Sequence, residues 1–315
     1  MFPASFGYIA ARSVEEALQL VAKHGEEGKL LAGGHSLIPA MKLRLASPRM
    51  LIDLGTVRGL SGIRVDDGHL IIGALTVHAD VAASDLVRKH MPGLADAASV
   101  IGDMQVRNRG TIGGSVAHAD PAADLPVILT ALNASFVAQS SNGRRVLGAD
   151  NFFTDFFTTA MTANEILTEI RVPIPANGTG TAYAKLPHPA SGYVVVSAGA
   201  LISRQASGTC AAARIAIGGL GSGPVRASAT EIELQGKPLT PQLIAAAAAK
   251  AADGSDPDDD AYASADYKRH VATIYARKAI EAAIGRARNR ARDRDWRRKN
   301  EISSTSRKTI TILKV

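Results

Sequence analysis

Two segments of this 315-residue chain combine glycines with hydroxyl side chains in a pattern that suits an anionic ligand. The first is Ala32-Gly33-Gly34-His35-Ser36-Leu37, and the second is Arg109-Gly110-Thr111-Ile112-Gly113-Gly114-Ser115. Paired glycines permit positive φ angles and remove the Cβ that would hold a ligand off the backbone. If each turn opens a helix, its free N–H groups and the helix dipole point toward a phosphate. Either turn alone reads equally well as a tight connection into a capped helix, with Ser36 as one cap. Two turns of one design suit a diphosphate, whose two anionic groups call for two sets of donors. Neither the 32–37 nor the 111–115 stretch holds Lys or Arg, so oriented dipoles would do most of the holding. Arg107 and Arg109 are close enough in sequence to contribute, or they are surface residues.

Several other chemistries are excluded. No G-x-x-x-x-G-K-[ST] loop for a nucleoside triphosphate is present, and no G-x-G-x-x-G follows the first strand. The run Gly218 to Gly223 meets Pro224 at once and reads as a loop. Cys210 is the single cysteine, so the chain can form neither an internal disulfide nor the thiolate cage of an iron–sulfur cluster; it is expected as a buried or half-buried thiol. His78, His188 and His270 lack metal-ligand spacing. His35 and His118 invite an acid–base role without partners to support one. Redox chemistry here would therefore need an organic cofactor or a partner's metal. The net charge of +7 is local: residues 286–315 hold 11 Lys/Arg and 3 Asp/Glu, which leaves the rest at −1. The body lacks the basic field of a nucleic-acid binder. No signal peptide and no apolar run of 18 residues is present, so a cytoplasmic protein without a transmembrane segment is expected.

The elements that would place these turns follow from periodicity and punctuation. Ser13 to His24 reads as a capped helix, with Glu16 three residues after Ser13 and Val14, Ala17, Leu18 and Val21 on one face. Lys29 to Ala32 reads as a buried strand ending at Gly33, Leu37 to Leu45 as a helix, and Met50 to Leu54 as a second strand. Beyond Gly55 the texture changes to hairpins around Asp66-Asp67-Gly68 and Asn142-Gly143, with short helices at 76–82, 85–90, 92–101 and 126–132. A strand at 166–172 stops at Pro173. The Pro/Gly/Thr-rich stretch Pro173 to Gly180 marks a boundary. Three sheet strands follow at 181–186, 194–202 and 212–218, then helices at 228–234 and 241–252, an acidic loop at Asp256 to Asp260, and a final helix from about Tyr267.

The segments AGGHSLIPAMKLRLASPRMLIDL, IGALTVHADV and RNRGTIGGSVAHADPAADLP resemble the FAD-binding medium subunit of the molybdenum hydroxylases, the xanthine dehydrogenase and carbon monoxide dehydrogenase type. The likeness runs from about Phe2 to Ala283. It implies an α+β protein: a vanillyl-alcohol-oxidase-type (PCMH) FAD-binding domain over 1–176, built of α/β subdomains 1–54 and 55–176. A C-terminal α+β domain over 177–285 follows, with a three-stranded antiparallel sheet and helices, and then a poorly ordered basic tail at 286–315. The tail departs from the family, and its last residues, 307–315, alternate like a strand. On this resemblance Ala32, Gly33, Gly34, His35, Ser36 and Leu37 form one FAD turn, and Thr111, Gly113, Gly114 and Ser115 the other. Asp124 falls near the ribityl or ribose hydroxyls, or else caps the helix near Pro126. Ile101 lies along the ring system or is simply core. Lys185 and Tyr193 approach the isoalloxazine, or Tyr193 is a rim aromatic. The implied function is an FAD-dependent dehydrogenase subunit passing electrons to NAD⁺, a quinone or another acceptor. Its implied partners are a large subunit carrying the molybdopterin cofactor and a small subunit with two [2Fe–2S] clusters, assembled as a heterotrimer or a dimer of heterotrimers. No residue of this chain is expected to be catalytic or to bind a metal. A stand-alone flavin oxidase of the same fold, or a binding module with structural glycine turns, are the rival readings.

Overall fold

The computed structural model describes residues 2–287 in full and the helical backbone of 288–309. The basic tail and terminal strand read from the sequence thus fall, past Ala287, outside the fully described residues.

The first unit is a small parallel sheet. Strands β1 (Gly7–Ala10), β2 (Gly28–Leu31) and β3 (Met50–Asp53) lie in the order β1-β3-β2, with helix α1 (Val14–His24) crossing over and the short α2 (Leu37–Lys42) following β2. The Ser13 hydroxyl accepts from Glu16 N at 3.1 Å, as a cap should, and the Glu16 carboxylate reaches back to Arg12 N at 2.7 Å. Ala17, Leu18 and Val21 turn inward from α1 onto Ile52 and Leu54, in a core that Leu60 and Ile166 from the next unit complete.

The second unit is antiparallel. Hairpin β4 (Ile63–Asp66) and β5 (His69–Gly73) turns at Asp67-Gly68, both with positive φ. The short helices α3 (His78–Ala83), α4 (Asp85–His90), α5 (Pro92–Ser99), α6 (Met104–Arg107), α7 (Ile112–His118) and α8 (Asp124–Ala131) follow. Strands β6 (Ser135–Ser140) and β7 (Gly143–Gly148), a small β8–β9 hairpin (Phe153–Asp155, Thr158–Thr159) and β10 (Ile166–Pro173) complete it, with sheet order β4-β5-β10-β6-β7.

The third unit is the sheet β11 (Thr179–Pro187), β12 (Val194–Arg204), β13 (Cys210–Gly218) and the two-residue β14 (Val225–Arg226), in that order. The three expected long strands are present, and β14 adds a short fourth. Residues Val194 to Ala200 of β12 are all buried because helices cover both faces. On one side lies α8; on the other lies α11 (Ala265–Thr309), while α9 (Ser228–Leu234) and α10 (Pro241–Ala248) pack alongside. The approach of α11 is close enough that a Cβ on Gly180 would lie 2.0 Å from the Ala283 carbonyl oxygen. Cys210 is buried in this core, as expected.

Candidate functional site

The two glycine turns meet backbone to backbone. A Cβ on Gly33 would sit 2.1 Å from the Arg109 carbonyl oxygen and 2.8 Å from Gly110 Cα. A Cβ on Gly113 would lie 2.6 Å from the Ala74 carbonyl oxygen, and one on Gly114 would be 3.9 Å from the Ala32 methyl. Gly33 and Gly113 are therefore demanded by close approach, and Gly34, at φ 75°, by conformation.

The turns are not equivalent as donors. In the second, Ile112 N donates to Thr76 O, Gly113 N to Ala74 O, Gly114 N to the Thr111 hydroxyl and Ser115 N to Thr111 O. The first turn of α7 is thus consumed by the protein itself. In the first turn, the amides of Gly33, Gly34, His35 and Ser36 have no acceptor among the described residues. The Ser36 hydroxyl makes no cap hydrogen bond, contrary to the capping expectation. His35 Nδ1 meets Gly33 O at 3.0 Å and braces the turn. A row of free amides beside two hydroxyls, Ser36 and Ser115, on a Cβ-free floor fits a diphosphate. Arg107 is engaged elsewhere: its guanidinium donates to the Ile101 and Gly102 carbonyls at 2.8 and 2.9 Å. Arg109 is exposed.

A second cluster gathers Asp124, Lys185, Val100 and Gly192. The Lys185 ammonium lies 2.9 Å from Asp124 Oδ1, 2.9 Å from Val100 O and 2.8 Å from Gly192 O. The lysine side chain is 7% exposed and the aspartate 6%. The Tyr183 hydroxyl donates to the same Asp124 oxygen at 2.9 Å. Burial lifts Asp124 above the usual carboxylate range, although Lys185 pulls the other way. Burial, then the Asp124 charge, push the Tyr183 phenol well above its usual value. Asp124 is the first residue of α8, whose cap position is Ala123 and lacks a side-chain bond, so capping is not its role. Lys185 holds together the end of α5 beside Ile101, the turn before Tyr193, and Asp124. Ile101 packs partly buried against the central core, and Tyr193 stands half exposed.

Two residues joined to these clusters were not picked out by sequence as site residues. Tyr183 had a signal, since it precedes Lys185 by two on one strand and so shares its face. His78 lies beneath Gly110: a Cβ there would come within 2.9 Å of its Nε2, and His78 N donates to Gly110 O at 2.9 Å. Burial, then His35 and Arg107, lower its pKa to about 4. Among the described residues no group of three His, Cys, Asp or Glu could hold a metal, and no helix is long and apolar enough to cross a membrane.

Known proteins resemble this chain over most of its length. Residues 4–175 match the FAD binding domain in molybdopterin dehydrogenase, and residues 181–283 match the CO dehydrogenase flavoprotein C-terminal domain. The carbon monoxide dehydrogenase medium chain of Hydrogenophaga pseudoflava is 41% identical over 91% of this chain and 99% of its own. The 6-hydroxypseudooxynicotine dehydrogenase complex subunit alpha of Paenarthrobacter nicotinovorans is 38% identical over 91% of this chain and 97% of its own. A solved structure of the Hydrogenophaga pseudoflava carbon monoxide dehydrogenase, in a form lacking the Mo-pyranopterin moiety, superposes with a TM-score of 0.87 at 43% identity, covering 91% of this chain and 99% of that one.

Proposed function

The chain belongs to the FAD-binding subunits of the molybdenum hydroxylases, oxidoreductase subunits of multi-subunit complexes, and from that premise we propose that it relays electrons between a partner's iron–sulfur clusters and an external acceptor. The free amides of Gly33 to Ser36 carry this reading. They receive the FAD diphosphate, with the Ser36 and Ser115 hydroxyls adding donors and the second glycine turn serving as the wall that holds the first in shape. Asp124 faces the ribityl hydroxyls. Ile101 supports the ring system, and Lys185 fixes the height of that support through Val100 O. Tyr193 borders the ring from the third unit. Bound there, FAD takes electrons singly and gives them up in pairs. No side chain here supplies a proton-transfer base of its own, so the residues bind, orient and exclude water. The functional division follows the boundaries read from the sequence: an FAD domain over 1–176, a C-terminal domain over 177–285, and a basic tail from 286.

The partners follow from the same reading: a large molybdenum-cofactor subunit and a small subunit with two [2Fe–2S] clusters, in a heterotrimer or a dimer of heterotrimers in the cytoplasm. Purification of the tagged chain from its host tests this. The expected result is a complex of three polypeptides, one acid-released FAD per copy of this chain, and molybdenum and iron in the partners. A chain that purifies alone, or a complex free of flavin, would refute the reading.

A further inference from the structure

Tyr183 and Lys185 stand two apart on β11 and so share one face of the sheet. Both reach the start of α8, where they meet a single atom. Asp124 Oδ1 accepts from the Tyr183 hydroxyl at 2.9 Å and lies 2.9 Å from the Lys185 ammonium. Opposite Tyr183 in β12 is Gly199, where a Cβ would lie 3.1 Å from Ile128 Cα, so this bare position lets α8 lie close on the sheet. The second carboxylate oxygen, Oδ2, accepts from no other residue among those described. It is not sealed in either: the described residues hold five buried side-chain atoms without a partner, and Oδ2 is not among them. An aspartate only 5% exposed that served the fold alone would close both oxygens on protein donors, because an unmet acceptor on a buried charge is costly. Here one oxygen is closed and the other is open. The lysine has no hydrogen left for a ligand, since its other two go to Val100 O and Gly192 O.

We propose, on the FAD reading above, that Tyr183 is a positioning residue for the cofactor: with Lys185 it saturates Asp124 Oδ1 and so turns Oδ2 toward a ribityl hydroxyl, which donates to it. A hydroxyl bonded to a carboxylate in this way makes a short, charge-assisted bond, about twice as strong as a neutral one. Two donors on Oδ1 fix the carboxylate plane; with the lysine alone the group can swing, and the bond to the hydroxyl weakens. Burial, then Asp124, hold the Tyr183 phenol well above its usual value, so it remains a donor throughout the neutral range. The tie from Lys185 to Val100, the neighbour of Ile101, places Asp124 on the ring side of the diphosphate, which selects the ribityl chain over the adenosine ribose.

A thermodynamic cycle on the intact complex, depleted of flavin, tests this. FAD, its analogues lacking the 2′-, 3′- or 4′-hydroxyl of the ribityl chain, and the analogue lacking the adenosine 2′-hydroxyl are titrated calorimetrically into wild type and Tyr183→Phe. Wild type should bind one ribityl analogue about ten-fold more weakly than FAD. Tyr183→Phe keeps the ring in the core; it should bind FAD about ten-fold more weakly and discriminate against that same analogue by no more than about two-fold. A role in folding alone would weaken every flavin equally and leave the discrimination intact, and that result overturns the proposal. The wild-type titrations decide even without the variant: no loss with any ribityl analogue, or loss only with the adenosine analogue, overturns it as well. In those cases FAD still binds and the flavin reading stands, whereas a complex that takes up none of the flavins sinks both.

Discussion

Gly33 shows how much a single hydrogen atom decides here. Any side chain at this position would drive a carbon to 2.1 Å from the Arg109 carbonyl oxygen, so Gly33→Ala must push the two turns apart. Overpacking of this sort costs about 1–3 kcal/mol, and the displaced amides no longer converge. The expected outcome is a complex that assembles with a lowered melting temperature and little bound FAD, measured as flavin per chain. His78 makes a different prediction. Its pKa is depressed to about 4 from 6.5 by burial, with His35 and Arg107 adding to the effect. Between those values the unfolded chain binds the proton that the folded chain refuses, so stability is lost as pH falls from about 6.5 to about 4 and changes no further through this group below that. The full window is worth about 3 kcal/mol. His78→Phe keeps a ring under Gly110 and removes the titration. Its melting temperature should therefore fall less than the wild type's between pH 6.5 and 4, and parallel curves would disprove the assignment.

At the scale of elements, Lys185 joins three pieces that sequence places far apart. Val100 lies 85 positions away, and the contact is to its carbonyl oxygen. No residue type advertises such a contact, and so the lysine could be named from the sequence while its work could not. Lys185→Met leaves the Asp124 charge buried without its partner, a change that typically costs about 3–5 kcal/mol. It also releases the Gly192 turn. Protease sensitivity at residues 188–193 should rise, and Lys185→Arg, too large for three oxygens placed for an ammonium, should rescue it poorly. Other elements sort by the range of their signals. The glycine turns, α1 and the two hairpins were legible because their causes are local: a cap, a positive φ, a two-residue turn. Strand β1 escaped notice because Gly7 to Ala10 is four residues long and becomes a strand by pairing with Met50 to Asp53. Helix α6 escaped too, although Asp103 accepting from Val106 N is an ordinary cap and could have been read. The unequal donor supply of the two glycine turns was not legible at all, since Ala74 and Thr76 take the second turn's amides from outside the motif.

Across the whole molecule, the central and C-terminal units are tied by ions as well as by apolar packing. Asp150 receives Arg214 at 2.7 Å and Arg226 at 3.0 Å, and Arg286 grips Asp96 and the Thr181 carbonyl. Asp150 is 41% exposed, so solvent screens much of its attraction and Asp150→Ala should cost only about 1 kcal/mol. The loss should shrink in high salt, as thermal unfolding at two ionic strengths would reveal. An effect independent of salt would mean that packing, not charge, joins the units there.

The seam between the first two units behaves differently: Leu60 and Ile166 of the second unit join the core of the first, and bare backbone meets across it at Gly33 and Arg109. The free amides proposed to receive the diphosphate sit on one side of that seam, and the second glycine turn with Ser115 on the other. A ligand bound there engages only the docked arrangement, and by mass action it strengthens the docking by the same free energy with which docking strengthens its binding. FAD is then a mortar as well as a redox carrier. The flavin-free chain should open at this joint first, and amide exchange in Gly28 to Asp53 should slow once the cofactor is in place.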